Sequence, residues 1–363
     1  MEKVMSLKNI SVSMEIISMS WKVLKVPLKK PFKIALGTIE NYEGVIVKIC
    51  TEEYCGYGEA SPSPKIVGDT VNTVVAALGR FEPLIIGEDV ENYGRIMETI
   101  NRSMVHNSSA KAAIDFALFD ILAQRANLPV KSLLGGKKDR IETSLTVDIS
   151  SVEKSVKHAE ELLSQGAKVL KVKIGLNPQE DIERIRAIRK ITDARIRVDG
   201  NQGYSLNQAI KVLNAIDRYE IEFAEQPLPV GHEEELKILR EKVPLPIMAD
   251  ESVHDSRDVL NLIGKVDAIN IKLMKSGGIY EALKMASIAR AAGMKIMVGC
   301  MIETKLAIAA GTHFALGVGV DYADLDGYWD LKEQPFEGDI YRDGYNYAPE
   351  KSGLGATPIK DLL

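Results

Sequence analysis

The chain has 363 residues, 45% hydrophobic and 27% charged, enough for one large barrel and a second domain with its own core. Its net charge of −5 is mild and no basic cluster interrupts it, which argues against nucleic acid and an anionic membrane as partners. A small molecule is the expected partner, and nothing in the composition speaks against a homo-oligomer.

Residues Met1 to Ser20 include apolar positions, but Lys3, Lys8, Asn9 and Glu15 interrupt them and no small-residue cleavage site follows. No stretch reaches the length of a membrane span, so a cytoplasmic location is expected. Glu15 to Val26, Gly44 to Cys50 and Gly56 to Ala60 read as antiparallel strands, with Leu28 to Asn41 as a loop. Cys50 and Cys55 flank the hairpin loop Thr51-Glu52-Glu53-Tyr54 and can face each other across two strands. Three cysteines nevertheless fit a reducing compartment, and free thiols are expected unless the source is a hyperthermophile. Helical spacing follows from Thr70 to Phe81, stopping before Pro83, then from Val90 to Val105 and from Ser109 to Ala126. Residues Ser132 to Gly136 end this part, an α+β domain over 1–135. The five histidines show no ligand spacing, and His313 belongs in the core of an apolar helix.

From 136 to 331 strands and helices alternate. The expected barrel strands begin with Glu142 to Val147 and end with Lys295 to Val298 and Tyr322 to Leu325; a turn-rich tail, 332–363, returns toward the first domain. Within the barrel, Val169 to Lys173, Arg195 to Asp199, Phe223 to Glu225, Pro246 to Asp250 and Ala268 to Lys272 each end in an ionisable residue, at a spacing of about 25 residues. A parallel barrel of strand-helix units has that period, and its chemistry gathers at the C-terminal ends of its strands. Lys173 ends the second strand and Lys272 the sixth, half a ring apart, with Asp199, Glu225 and Asp250 in the arc between them.

Three carboxylates at one place repel unless a hard cation neutralises them, and all-oxygen ligation selects Mg²⁺ or Mn²⁺. Such a cation can hold a substrate carboxylate and stabilise the enolate formed when the neighbouring carbon loses its proton. A lysine must take that proton. Free lysine titrates near 10.4, so one working near neutrality must be held about 4 kcal/mol away from its ordinary behaviour. Lys171 lies two residues before Lys173 on the same face, where its charge acts against a second ammonium. Two bases on opposite sides of a carbon imply a 1,1-proton transfer, with β-elimination still chemically open. A Schiff-base aldolase would use one lysine and leave the carboxylates unexplained.

These residues carry a resemblance. Lys171-Val172-Lys173, Asp199-Gly200-Asn201, Glu225-Gln226-Pro227, Ala249-Asp250-Glu251-Ser252 and Asn270 to Gly278 together resemble the enolase superfamily, its muconate lactonizing enzyme subgroup, and within that the dipeptide epimerases. The resemblance implies an α/β fold: a modified TIM barrel, (β/α)7β, capped by an N-terminal α+β domain. It further implies Mg²⁺ on Asp199, Glu225 and Asp250, Lys173 and Lys272 as the acid/base pair, and Lys171, Thr146 and Cys300 as substrate contacts. Lys275 is a rival to Lys272, but alternation puts Asn270 and Lys272 on one face and leaves Lys275 in the following turn. Asp324-Leu325-Asp326 matches the motif that dipeptide epimerases set against a substrate ammonium. The o-succinylbenzoate synthases, N-succinylamino acid racemases and muconate cycloisomerases of the subgroup have substrates without that ammonium. Gly37 stands where an Ala-Glu epimerase presents an arginine to the substrate's Glu. Either Lys29, Lys30 or Lys33 replaces it, or the second residue of the dipeptide is not acidic.

Overall fold

Three antiparallel strands, β1 (Ser18–Ile34), β2 (Gly37–Cys50) and β3 (Cys55–Ala60), form a sheet in that order. The computed structural model describes residues 13–338, 340–360 and 362; Lys3, Lys8 and Asn9 of the N-terminal reading lie outside these. Residues 28–41, expected as a loop, instead prolong the β1–β2 hairpin. Beyond a register shift between Pro27 and Phe32, Phe32 pairs with Ile39 and Ile34 with Gly37. The flanking lysines hid a short alternation in which Phe32 and Ile34 share one face and the exposed Lys33 takes the other.

At the far end of the hairpin, Cys50 and Cys55 are register partners and form a disulfide, with Cα atoms 4.1 Å apart. The expectation of free thiols is therefore overturned. The turn between them closes through Thr51 N donating to Tyr54 O at 2.8 Å, and that pairing aligns the two sulfurs.

Helix α1 (Val71–Ile85) also runs past its expected stop, because Phe81 and Ile85 are both fully buried and hold the last turn. Pro83 sits exposed on the outer face, where it gives up the hydrogen bond to the Gly79 carbonyl, and the burial of Phe81 and Ile85 outweighs that loss. The expected helix from Val90 begins instead as a 3-10 turn, Val90–Asn92, capped by Asp89, and α2 covers only Tyr93–Ser103. Helix α3 (Ser108–Arg125) is buried on nearly every face, between the sheet and the barrel.

The barrel has eight parallel strands in chain order: Leu145–Val147, Val169–Lys173, Arg195–Asp199, Ile221–Glu225, Ile247–Ala249, Ala268–Lys272, Lys295–Gly299 and Tyr322–Asp324. A bridge between Thr143 and Ala323 joins the last to the first. Lys173 pairs with Asp199 and Asp199 with Glu225, so these ends lie at one level of the rim; Lys272, Gly299 and Asp324 pair likewise. Lower in the barrel, Arg197 lies between the rings of Phe223 and Tyr322 and donates to Glu222 at 2.6 Å.

Buried carboxylates bind the first three strands and helices to the mouth. Glu59 of β3 accepts from Thr304 N (2.8 Å) and Ala307 N (3.1 Å) at the start of the helix Lys305–Val318. Asp115 of α3 accepts from Ile279 N (2.8 Å) and Tyr280 N (3.1 Å) at the start of Ile279–Ala291. A carboxylate at a helix N-terminus contributes about 0.3–2 kcal/mol. Those helices follow the sixth and seventh strands, so their N-termini lie at the rim where the strands end, and this bonding draws the N-terminal region over the mouth. Gly278, at φ +110°, gives Asp115 its place, since a Cβ there would lie 2.4 Å from the Asp115 side chain. The tail touches both parts: Leu354 N donates to Asp120 at 2.8 Å, and Tyr345–Tyr347 pairs with Arg140–Glu142. Among the described residues no helix is long and apolar enough to cross a membrane.

The disulfide closes a very short loop, for which chain entropy gives about 2 kcal/mol of stabilisation. The Cys50→Ser/Cys55→Ser double variant is expected to lose about that much in a urea titration with unchanged slope, while reductant leaves the variant unaffected.

Candidate active site

Each site side chain comes from the last residue of a strand or the one or two residues around it, so the ring's register sets their spacing. Lys171, two residues back on the second strand, reaches the centre. Its Nζ lies 2.9 Å from Asp199 Oδ2, 2.8 Å from Glu225 Oε2 and 2.7 Å from Asp324 Oδ2. Burial opposes a charge on Lys171, but Asp199, Asp324 and Glu225 outweigh it and hold the ammonium well above its ordinary range. Lys173 Nζ donates to Asp199 Oδ2 (2.7 Å) and to Asn201 Oδ1 (3.0 Å). Across the mouth, Lys272 Nζ donates to Asp250 Oδ2 at 2.7 Å. Burial again acts against the charge, and Asp250 more than compensates, so Lys272 is raised.

Lys275 is not left aside in a turn. The short helix Leu273–Ser276 folds its side chain back under the rim, where Nζ lies 2.6 Å from Asp250 Oδ1 and also donates to the Asp250 carbonyl. Burial pushes this lysine down. The two rivals occupy different places: Lys272 lines the open cavity and Lys275 does not.

Asp199, Glu225 and Asp250 are fully buried, and one carboxylate oxygen from each lies within 4.8 Å of the others. Burial pushes Asp199 up, but Lys171 and Lys173 bring it to about 2, whereas burial and the Asp199 charge push Glu225 up to about 8. Glu225 Oε1 accepts from Asn270 Nδ2 at 2.8 Å. Its Oε2 is close to Lys171 but accepts no aligned hydrogen bond, a buried oxygen short of a partner. Hard oxygen donors, close enough to share one ion and incompletely satisfied, fit a divalent cation such as Mg²⁺ or Mn²⁺.

The cavity above is lined by Thr146, Lys171, Lys173, Lys272, Cys300, Asp324 and Asp326, so every residue expected to meet substrate reaches it. Asp324 Oδ1 accepts from Ser144 Oγ at 2.6 Å, and Asp326 Oδ2 accepts from Thr146 N at 2.8 Å. Burial and the Asp324 charge push Asp326 up to about 7. Cys300 Sγ lies 3.3 Å from the Asp324 carbonyl, and burial pushes the thiol up.

Sequence reasoning gave no role to Asn201, Asn270, Glu251 or Ser144. Asn201 joins Lys173 to Glu251, whose Oε1 accepts from its Nδ2 at 3.1 Å. Asn270 carried a signal, since it precedes Lys272 by two residues and so shares its inward face.

The mandelate racemase / muconate lactonizing enzyme N-terminal domain profile matches residues 18–135, and the enolase C-terminal domain-like profile matches 154–362. The chain belongs to this family. Within the family it is 40% identical to the L-Ala-D/L-Glu epimerase of Thermotoga maritima, over 91% of this chain and 97% of that one. It is equally 40% identical to the hydrophobic dipeptide epimerase of Enterococcus faecalis, over 87% of this chain and 91% of the relative. A crystal structure of the dipeptide epimerase from Enterococcus faecalis with Mg and L-Leu-L-Tyr superposes with a TM-score of 0.92 at 38% identity, covering 95% of this chain and all of that one.

If the three carboxylates hold a divalent cation, MgCl₂ raises the melting temperature of the wild type, by the equivalent of about 2.7 kcal/mol at a hundredfold excess over Kd. Glu225→Gln is expected to lose most of that increment, whatever its own baseline stability, in a thermal-shift titration.

Proposed function

We propose that this chain is a Mg²⁺-dependent dipeptide epimerase, inverting the α-carbon of the C-terminal residue of a dipeptide by 1,1-proton transfer. The observation that carries the reading is the opposition of Lys173 and Lys272, on strands half a ring apart, across one cavity that also holds Asp324 and Asp326. In this reading Asp199, Glu225 and Asp250 hold the cation; when bound, it supplies charge for the substrate carboxylate and competes with the lysines for their carboxylate partners. One lysine removes the α-proton from its side, and the other delivers a proton from the opposite side. One C–H bond breaks, one forms, and the configuration inverts. Asp324 and Asp326 take the substrate ammonium. An N-succinyl substrate would set an anion against them, which is why that alternative is not adopted.

Of the expected segments 1–135, 136–331 and 332–363, the described residues of the first act as a cap, those of the second as the barrel that performs the chemistry, and those of the third as a tail returning to the cap; residues 1–12, 339, 361 and 363 lie outside the described residues. The enzyme works on a soluble small molecule in the cytoplasm, and a homo-oligomer is compatible with all of this.

Lys173→Ala and Lys272→Ala are each expected to abolish epimerisation, while each still exchanges the α-proton of one epimer with solvent deuterium, read by mass. The two variants select opposite epimers. Exchange of the same epimer by both, or a Lys275→Ala variant behaving as either, contradicts the assignment.

Asp326 holds an ammonium only when ionised. With its carboxyl raised to about 7, kcat/KM falls as pH drops through 7, and the limb disappears in Asp326→Asn. That variant, and separately N-acetylation of a good dipeptide, is expected to lose about 30- to 1,000-fold in kcat/KM at pH 8.

A further inference from the structure

The geometry points to an apolar side chain on the dipeptide's C-terminal residue, held by Ile34, Ile39, Ile66 and Ile302. This rests on the reading above, in which the reacting carbon lies between Lys173 and Lys272 and the ammonium lies at Asp324 and Asp326. The four isoleucines line the cavity and come from three separate segments: the β1–β2 hairpin, the loop after β3, and the loop after the seventh barrel strand.

Their contacts place the two loop residues on the reacting side. The Ile66 carbonyl lies 3.1 Å from His254 Nε2, four residues past Asp250. Ser61 donates to the Ile302 carbonyl at 2.6 Å, while its own N–H meets the sulfur of Met274, two residues past Lys272, at 3.4 Å. The hairpin tip joins them, since Lys65 donates to the carbonyl of Leu36 between Ile34 and Ile39. Ile66 and Ile302 thus roof the fifth-to-seventh-strand arc, and the hairpin reaches them from the end of the first barrel strand, where Ile149 N donates to the Lys33 carbonyl at 3.1 Å. The ammonium end, by contrast, faces the eighth strand, and β1 is tied there through Lys29 N to Asp330 O at 2.7 Å.

Among the described residues, no lysine or arginine of this roof lines the cavity to receive an acidic side chain. Gly37 has φ +138° at the hairpin turn, a backbone that excludes an arginine, and a Cβ there would meet Lys65 Nζ at 2.6 Å. Lys29 Nζ donates to the Trp329 carbonyl at 2.8 Å. Lys30 Nζ lies 2.8 Å from His158 Nε2, whose other nitrogen faces Asp148 at 3.2 Å. Lys33 is exposed on the outer face of β1. None of these four lysines lines the cavity, whose lysines and arginines among the described residues are the barrel lysines Lys171, Lys173 and Lys272. Of the acidic residues that line the cavity apart from Asp324 and Asp326, Glu43 pairs with Lys25 at 2.5 Å, and Asp330 lies at the eighth-strand end, away from this roof, where its carbonyl accepts from Lys29 N. A charged side chain against this roof would lose part of its hydration with no counter-ion in return, whereas each buried methylene is worth about fourfold in binding.

The test is a panel of dipeptides with L-Ala first and L-Leu, L-Phe, L-Ala, L-Glu or L-Lys second, incubated with the Mg²⁺-loaded protein in deuterated buffer and read by mass. The Leu and Phe dipeptides are expected to exceed the Glu and Lys dipeptides by about 100-fold or more in kcat/KM, with Ala between them. A Glu or Lys dipeptide that matches or exceeds Leu overturns the inference and leaves the epimerase reading standing. Exchange of N-succinyl amino acids with no dipeptide turnover overturns both. Ile39→Arg, at a hairpin position that is 37% exposed, is expected to move the Glu-to-Leu ratio upward by at least tenfold with the thermal transition retained; an unchanged ratio removes Ile39 from the specificity wall.

Discussion

Everything at the mouth depends on one compensation: carboxylates and ammonium groups buried together that none could tolerate alone. Asp199, Glu225, Asp250 and Asp324 are matched by Lys171, Lys173, Lys272 and Lys275, all nine-tenths or more buried. Isolated charges in such surroundings cost several kcal/mol each, and removing one partner typically costs 3–5 kcal/mol because it strands the other. Lys171 is the keystone of this arrangement, with three carboxylates within 2.9 Å. A site so satisfied by its own lysines is also poised, because whatever takes the carboxylates away from the lysines changes their readiness to give up protons.

The fold supplies the precision. Parallel strands in register put Lys173, Asp199 and Glu225 at one level, and the closing bridge from Thr143 to Ala323 fixes the position of Asp324 beside Ser144 and Lys171. The cap is then drawn to the reacting rim by the same physics in a milder form, with Glu59 and Asp115 each neutralising a barrel helix N-terminus. Capping and chemistry therefore share one face of the ring. The hairpin that roofs the cavity is tied to the barrel at two points along β1, by Ile149 N on the Lys33 carbonyl at 3.1 Å and by Lys29 N on the Asp330 carbonyl.

Much of this was legible from residue order. Strands that end in Lys, Asp, Glu, Asp and Lys at a constant period state both a barrel and its rim, because the period and the alternation are local properties. What escaped was set by contacts between distant segments. Lys275 reads as a turn residue until the short helix after Lys272 folds it under Asp250. The hairpin end at Phe32 and Ile34 was masked by lysines whose exposure depends on the barrel beneath. The Cys50–Cys55 bond was judged by compartment, while the register of β2 and β3 decided it. Pro83 stayed helical because Phe81 and Ile85 on either side of it were claimed by the core.

The central claim is that one carbon sits between two opposed lysines and exchanges its hydrogen with inversion. The most direct measurement is proton NMR of a wild-type reaction with a single dipeptide epimer in deuterated buffer, following the C-terminal α-proton. The account predicts that each molecule of inverted product carries one deuterium, at that carbon and at no other. Inverted product that retains its original α-hydrogen in full, or deuterium at the N-terminal α-carbon instead, would contradict it.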